Sequence, residues 1–252
     1  MEFMTGKTEK KTVLISDILS GEYEGKEVLL NGAVHKIRDM GEVAFVVLRT
    51  REGLVQTVYE EGTTTPELKE LCEEAAVTVK GTVALEERAP QGFEIRAVSF
   101  EILSKPVEPM PIAINKWKMN TSLETKLDLR PLSLRNVKER AKFRVQEGIV
   151  RGFRDYLHSQ GFTEIHSPKI GARGAEGGAN LFRLEYFHKH AVLAQSPQFY
   201  KQMMVGVFDR VFEAAPVFRA EKHNTKRHLN EYTSLDFEMG YIDSFEDIMA
   251  VS

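Results

Sequence analysis

Five short β-rich runs in the first half of the chain constrain the fold more than any other feature. The turns at residues 39–41 and 51–53 are short enough for hairpins, and residues 66–75 predict a helix between the third and fourth runs. Five strands with a helix after the third predict an OB barrel, a common platform for single-stranded nucleic acid or oligosaccharide. A small β domain without a ligand is the alternative. The runs are residues 28–38, 44–50, 54–60, 76–87 and 93–104.

The sequence divides into four segments around this predicted barrel. Residues 1–20 carry charge but no apolar core of a signal peptide, which predicts a flexible tail before a barrel of residues 21–105. Residues 106–134 begin with three prolines within six residues, which can continue neither helix nor sheet, and are predicted to be a linker. Residues 135–252 form the second domain.

The second domain begins with helix and strand signals. Asn136 and Glu139 have the spacing of a capping box, and apolar residues then recur on one helical face until Gly161 ends the pattern. Residues 162–170 predict a strand, in which Pro168 indicates an edge or an interface. A glycine-rich loop at residues 174–178, a strand at 191–194 and a helix at 197–207 follow.

A hairpin with a basic tip ends the predicted pattern. Strands at residues 210–221 and 231–241 flank a loop rich in lysine, arginine and histidine. In the second strand, Leu235, Phe237 and Met239 fall on one face, and Ser234, Asp236 and Glu238 on the other. One face is expected to pack and the other to line a polar cleft, which gives an α+β fold class. By composition alone, such a loop is more often a solvated turn than a phosphate site.

Charge and cysteine content limit the class of protein. The 34 Lys and Arg against 37 Asp and Glu give a net charge of −3, so a nucleic-acid contact has to be local. The single cysteine, Cys72, cannot form an internal disulfide, and no apolar run approaches the roughly 20 residues of a membrane helix. A cytoplasmic protein with no membrane partner is expected.

Four segments of the second domain closely resemble motif 2 of the class IIb aminoacyl-tRNA synthetases in their aspartyl form. They are residues 216–221 (PVFRAE), Asn224-Thr225, Arg227-His228 and residues 231–239 (EYTSLDFEM). The helix before Gly161 and residues 164–168 (EIHSP) resemble motif 1, which implies a homodimer with Pro168 at its interface. The resemblance implies the antiparallel-sheet catalytic domain of class II synthetases, with flanking helices. Catalysis would rest on Arg219, and ATP would be bound by Arg219, Glu221, Arg227, His228, Leu229 and Tyr232.

Residues 195–202 (QSPQFYKQ) resemble the aspartate-binding segment of that family, with Lys201 as the discriminating residue. Gln198 and Lys201 are three apart at a helix start, so both can face one pocket. A buried cation there suits a side-chain carboxylate, and such sites can reject an isosteric amide by roughly 10⁴ or more. The segment EGG, residues 176–178, resembles the loop that closes over the amino acid. The implied aspartate ligands are Glu176, Ser196, Gln198, Lys201, Arg219 and Asp236.

The barrel resembles the family's anticodon-binding domain over residues 34–39 and 44–49. Phe45 would stack on a base, Gln56 would hydrogen-bond one, and Arg38 would read or neutralise the same RNA loop. Base stacking of this kind is worth ~1–3 kcal/mol per base. Each of the three residues could instead serve strand packing. Ala33 stands where many relatives have tryptophan, a departure that bears on fine anticodon discrimination.

The implied reaction is ATP-dependent activation of L-aspartate and its transfer to tRNA(Asp), with tRNA(Asn) an open alternative and no role for DNA. Mg²⁺ is expected to bridge the phosphates, but no ligand set for it is identified in this sequence. The glycine-rich motif 3 of the family does not occur in these 252 residues, so a fragment with little activity is expected. The alternatives are an asparaginyl-tRNA synthetase and a non-catalytic, synthetase-like tRNA-binding protein.

Overall fold

A computed structural model describes residues 12–175, 180–223, 225 and 228–251. The chain divides into two compact units, Met1–Ala141 and Lys142–Ser252. The first unit therefore takes in the predicted tail, barrel and linker and extends past the boundary expected at residue 134.

The first unit contains a closed five-stranded barrel, which confirms the predicted fold of this region. Its strands are in the order β1-β2-β3-β5-β4. β1 closes the barrel by antiparallel pairing with both β2 and β4, and β3 pairs with β5 in parallel. Alternate residues point into a core that includes Val34, Leu48 and Val55. The strands are β1 (Glu27–Asp39), β2 (Val43–Arg49), β3 (Leu54–Glu60), β4 (Ala76–Leu85) and β5 (Phe93–Ser104).

Gly81 allows β4 and β5 to approach closely. A β-carbon at this position would lie 2.7 Å from Cγ2 of Ile95 and would also meet the backbone of Arg96. The register of the two strands shifts between Lys80 and Gly81, as expected where a bulge bends a barrel strand. The barrel wall therefore requires a residue without a side chain here.

The helix predicted over residues 66–75 is wrong: only Leu68–Glu70 forms one 3₁₀ turn. Leu71 and Ala75 are drawn into the barrel core, and Glu74 has a positive φ of 66° that a helix cannot contain. The buried carboxylate of Glu74 accepts hydrogen bonds from Arg49 and Arg135. Tertiary contacts on this segment override its helical pattern.

Part of the segment assigned to a flexible tail folds onto the barrel. Helix α1 (Ile15–Leu19) buries Ile15 and Ile18 in the barrel core, and the carboxylate of Asp17 accepts a 2.8 Å hydrogen bond from the backbone nitrogen of Leu14. Residues 1–11 of the predicted tail lie outside the described residues.

The predicted linker contains helices α2 (Leu123–Asp128) and α3 (Arg130–Ser133) and a small apolar cluster of Ile112, Ile114 and Met119. Asn136 then caps helix α4 (Val137–Ser159), because its Oδ1 accepts from the backbone nitrogens of Lys138 and Glu139 at 3.0 and 3.1 Å. The predicted long helix and its N-cap are thus confirmed.

The second unit holds two three-stranded sheets. One has the order β11-β10-β6 and the other β7-β9-β8. The strand predicted over residues 162–170 is split into two short strands around Pro168, and β8 was not predicted. The elements are β6 (Thr163–Glu164), β7 (Ile170–Gly171), β8 (Arg183–Tyr186), β9 (Lys189–Leu193), α5 (Gln198–Phe208), β10 (Arg210–Phe218), β11 (Glu231–Met239) and α6 (Phe245–Met249).

The core of this unit forms where α4 packs on the β10–β11 sheet. Leu157, Phe162 and Phe212 are buried, and Phe153 meets Phe212 edge to face at 5.6 Å. Phe237 and Met239 pack against this cluster, which confirms two positions of the inward face predicted for β11, but the prediction is wrong for Leu235, which is 37 % exposed. None of the helices in the described ranges has both the length and the apolarity needed to cross a bilayer.

Candidate functional site

A buried lysine lies between two carboxylates on the polar face of β11. Lys201, in the second turn of α5, is only 6 % exposed. Its Nζ is 3.2 Å from Oδ1 of Asp236 and 3.7 Å from Oε2 of Glu238. Nε2 of Gln198 donates a 3.3 Å hydrogen bond to Glu238. The structure thus brings Gln198, Lys201 and Asp236 together, as the sequence predicted.

Two serines complete the polar surroundings of this cluster. The hydroxyl of Ser234 donates to Oδ2 of Asp236 and so fixes the orientation of that carboxylate. The hydroxyl of Ser196 accepts a long, 3.4 Å hydrogen bond from the backbone nitrogen of Gln198 at the start of α5. Ser196 also lines a neighbouring cavity of about 210 Å³ with Phe199 and Tyr200. The site therefore offers a cation, two acids and a hydroxyl.

Arg219 directly follows β10, beside the segment that leads to Ser196. The backbone nitrogen of Phe218 donates to the carbonyl of Ala194 at 2.9 Å, which ties the end of β10 to that segment. The backbone nitrogen of Arg219 donates to the carbonyl of Asn230 at 2.9 Å and closes the hairpin base. A guanidinium at this position is suited to bind a carboxylate or phosphate in a bidentate manner.

The basic loop places one predicted phosphate ligand near an acid. Nδ1 of His228 is 2.7 Å from the hydroxyl of Thr225, and its Nε2 is 3.7 Å from Oε2 of Glu221. Leu229 is exposed, and Tyr232 is half-buried opposite Val217 on β10. Arg227, and Glu176 of the glycine-rich segment, lie outside the described residues.

Glu213 is a buried acid that the sequence analysis missed. It is 2 % exposed and accepts from the backbone nitrogen and hydroxyl of Ser167 at 2.5 and 2.8 Å and from Nζ of Lys169 at 2.8 Å. The exposed Pro168 is held between these two donors. Glu213 is also the strand partner of Asp236. An acid inside the apolar run of β10 was the sequence signal that could have identified Glu213 as a buried hydrogen-bond acceptor.

The barrel brings the three predicted anticodon residues together on one face of its wall, where Gln56 is only 8 % exposed. Arg38 and Phe45 are register partners, and the guanidinium carbon of Arg38 lies 5.4 Å from the Phe45 ring centroid. Arg38 also donates a 3.0 Å hydrogen bond to Oε1 of Gln56, whose Nε2 donates to Glu94 at 3.1 Å. An aromatic face, a cation and an amide on adjacent strands match the needs of single-strand binding.

The described residues contain no group of three or more His, Cys, Asp or Glu side chains placed to hold a metal ion.

Two families match the chain, one for each part of the fold. Residues 28–103 match the OB-fold nucleic acid binding domain, and residues 122–252 match the tRNA synthetases class II (D, K and N). The second match covers the Lys201 cluster and the β10–β11 hairpin.

Curated relatives agree with this match. The chain is 50 % identical over 230 residues to an aspartate–tRNA(Asp/Asn) ligase of Deinococcus radiodurans, a match covering 91 % of the chain and 52 % of the relative. It is 49 % identical over 237 residues to the ligase of the same name from Thermus thermophilus, covering 94 % and 54 %. The chain thus spans about half the length of these relatives.

Solved structures share the fold. An asparaginyl-tRNA synthetase from Pyrococcus horikoshii complexed with asparaginyl-adenylate matches with a TM-score of 0.82 at 35 % identity, over 91 % of this chain and 53 % of that one. A putative aspartyl-tRNA synthetase from Leishmania major Friedlin matches with a TM-score of 0.82 at 32 % identity, over 100 % and 52 %.

Proposed function

Because the chain belongs to the class II tRNA synthetases of the D, K and N group, we propose that the protein is an aspartate–tRNA ligase. The observation that supports this most directly is the buried Lys201 facing Asp236 and Glu238. A buried cation offers an incoming side-chain carboxylate a partner that an amide cannot use equally well. The curated relatives, at 50 and 49 % identity, are ligases for the same amino acid.

L-Aspartate brings both signs of charge to this pocket. Its side-chain carboxylate is proposed to approach Lys201 and the amide of Gln198, and its ammonium group to approach Asp236, near the hydroxyl of Ser196. Glu176 is assigned to the same ammonium group by its sequence motif. Lys201 supplies one positive charge beside two acids, and the side-chain carboxylate is its proposed partner. The α-carboxylate therefore needs a further cation, and Arg219 is the proposed one.

ATP is proposed to bind along the β10–β11 hairpin. Arg219 would hold the α-phosphate and the attacking carboxylate together, while Glu221 and Tyr232 would line the adenine. Arg227, His228 and Leu229 would meet the rest of the nucleotide. The α-carboxylate oxygen attacks the α-phosphorus and the bond to the β-phosphate oxygen breaks, giving aspartyl-adenylate and pyrophosphate. Positioning and charge neutralisation provide the catalysis.

The second step uses tRNA. A hydroxyl at the 3′ end of tRNA attacks the acyl carbonyl of the adenylate, and AMP leaves. The barrel is proposed to hold the anticodon through Arg38, Phe45 and Gln56. tRNA(Asp) is the proposed substrate, and tRNA(Asn) is the second candidate because the relatives' names include both. We place this reaction in the cytoplasm.

Mg²⁺ normally accompanies ATP and neutralises phosphate charge. The described residues have no group of three or more acids, histidines or cysteines placed to hold a metal ion, and no step is assigned to Mg²⁺.

A homodimer is also proposed. The second unit exposes Val145, Ile149 and Tyr156 on one face of α4, and apolar residues on one exposed helix face favour association with a partner. Pro168, exposed and anchored through Glu213, would belong to the same interface. Sedimentation of the purified protein tests this: a monomer at micromolar concentration would argue against it.

The test of function is exchange of pyrophosphate into ATP with aspartate and, separately, with asparagine. Exchange by these 252 residues is expected to be weak but to depend on aspartate, with asparagine near background. Exchange with asparagine alone would favour an asparaginyl-tRNA synthetase, a candidate supported by the Pyrococcus horikoshii structural match. Binding of tRNA with neither exchange nor binding of aspartate or ATP would favour a non-catalytic tRNA-binding protein.

A further inference from the structure

The hairpin between β8 and β9 carries a bulky aromatic residue where its backbone favours glycine. Tyr186 pairs with Lys189, so Phe187 and His188 form a two-residue turn. Phe187 has a positive φ of 54°. Such turns normally use glycine or asparagine at positive φ, because a side chain there crowds the backbone. Local folding alone therefore does not account for this phenylalanine.

Burial does not account for it either. Phe187 is 81 % exposed, and its neighbour Tyr186 is 48 % exposed. Their rings meet edge to face with centroids 4.8 Å apart. This contact orients the two rings but leaves most of the Phe187 surface open to solvent. The hairpin tip thus presents a fixed pair of aromatic rings.

The positive charge beside the rings is that of Lys189. His188, Lys189 and His190 are exposed and follow the rings directly. Because cross-strand partners share a face, Lys189 lies on the same face as Tyr186. The acidic Glu185 is paired with His190 on the other face. The aromatic face of the tip is therefore cationic, although the chain as a whole has a net charge of −3.

Exposed aromatic rings beside a cation are the usual means of holding unpaired nucleotides, by stacking on the bases and neutralising the phosphates. We propose that Tyr186, Phe187 and Lys189 form a platform for the unpaired 3′ end of tRNA. This inference rests on the proposed function, which requires that end of the tRNA to reach the second unit. The four residues of the hairpin tip offer much less surface than the roughly 1,000 Å² that a specific protein interface buries. This favours RNA over a protein partner.

The test compares Phe187→Gly with a matched control, Tyr241→Gly. Tyr241 also has a φ of 54° and is 94 % exposed, but Asp243 and Glu246 follow it. Glycine relieves the backbone at both positions, so neither variant should lower the melting temperature. Affinity is measured for intact tRNA and for tRNA lacking its unpaired 3′ nucleotides.

Phe187→Gly is expected to weaken binding of intact tRNA roughly 5- to 150-fold, the equivalent of ~1–3 kcal/mol for one stacked base. It should leave binding of the shortened tRNA and tRNA-independent pyrophosphate exchange unchanged, and Tyr241→Gly should change none of these. Lys189→Ala should weaken the binding of intact tRNA and reduce the salt dependence of that binding.

Unchanged affinity of Phe187→Gly for intact tRNA would overturn the proposal, as would an equal loss for intact and shortened tRNA. A lower melting temperature with unchanged tRNA affinity would assign Phe187 a structural role, and a changed sedimentation coefficient without loss of tRNA affinity would indicate contact between copies of the chain. Failure of the proposed function looks different: the wild-type protein would show no aspartate-dependent exchange, whatever the hairpin does.

Discussion

The ammonium nitrogen of Lys201 lies 3.2 Å from Oδ1 of Asp236, and this pair joins helix α5 to the polar face of β11. The opposite face of β11 packs in the apolar core through Phe237. Removing a buried lysine from water is costly unless acids compensate it, and Glu238 supplies the second acid at 3.7 Å. The pair is therefore placed so that an anionic ligand can compete for the lysine.

Replacement of Lys201 by alanine should abolish the preference for aspartate. The variant leaves Asp236 and Glu238 without their shared cation, so an incoming carboxylate meets repulsion instead of a partner. We expect aspartate-dependent pyrophosphate exchange to fall by roughly 10² or more, since buried polar groups left unpaired are penalised strongly. The ratio of exchange rates with aspartate and asparagine measures the change in selectivity.

Lys80→Ala is the matched control for this variant. Lys80 also pairs with a carboxylate, Glu27 at 3.0 Å, but both side chains are exposed on the barrel. Surface pairs contribute ~0–1 kcal/mol, so stability and exchange should hardly change. Retention of aspartate selectivity by Lys201→Ala would show that the pocket has been assigned to the wrong residues.

Phe45→Ala should weaken tRNA binding without affecting amino-acid activation. Phe45 is half-buried beneath the guanidinium of Arg38 on the barrel surface, and its loss removes one stacking face. A rise in the tRNA dissociation constant of roughly 5- to 150-fold is expected, from ~1–3 kcal/mol per stacked base. Fluorescence anisotropy with labelled tRNA measures the first effect and pyrophosphate exchange without tRNA the second.

Trp117→Ala provides the comparison for Phe45→Ala. Trp117 is an exposed aromatic residue in the same unit, and Nζ of Lys138 lies 5.9 Å from its ring centroid. It resembles the Arg38–Phe45 pair chemically but is not on the strands of the barrel. If both variants weaken tRNA binding equally, the effect is not specific to the proposed anticodon surface.

Periodicity in the sequence was sufficient for the barrel strands and the long helix, because short turns and alternating residues fix hairpin register locally. It failed where contacts distant in sequence decide the conformation. Residues 66–75 have a helical pattern, yet Glu74 is held by Arg49 from β2 and by Arg135, which follows the predicted linker. Strand β8 was missed although Leu184 and Tyr186 alternate with charged residues, because the run is only four residues long and three of them are exposed.

The candidate site shows the same division. The neighbours Gln198 and Lys201 were predictable from helical spacing, and Asp236 from the alternation of β11. The Lys169–Glu213 pair was not, because it joins segments 44 residues apart and only the fold brings them together. The partner of a residue in such a pair can be named only once the tertiary structure is known.

The stability of the first unit should fall in two steps as the pH is lowered. Burial, with the nearby Arg49 guanidinium, lowers the pKa of His35 from 6.5, so stability is complete above that value and declines below it. Burial alone would raise the pKa of Glu74, but hydrogen bonds from Arg49 and Arg135 outweigh it and lower the pKa from 4.5. The second step should therefore appear below pH 4.5.

Fluorescence of Trp117, the single tryptophan, reports unfolding of this unit across the pH range. His35→Gln should remove the upper step. Glu74→Gln should remove the lower step and cost about 3 kcal/mol at neutral pH, because it leaves the buried Arg49 without its acid. A wild-type profile that is flat from pH 7 down to pH 5 would contradict the assignment of His35.

Closure of the barrel should depend on the absence of a side chain at Gly81. A β-carbon at Gly81 would meet the Arg96 backbone and lie 2.7 Å from Cγ2 of Ile95, whereas one at Gly32 would lie 3.1 Å from Cβ of Leu48. Overpacking of this kind typically costs ~1–3 kcal/mol, so Gly81→Ala should fall in or above that range and Gly32→Ala well below it. Urea denaturation followed by Trp117 fluorescence compares the two variants with the wild type. Equal costs would mean that β4 and β5 can separate to admit a methyl group, and that the register shift at Lys80, rather than the missing side chain, sets their approach.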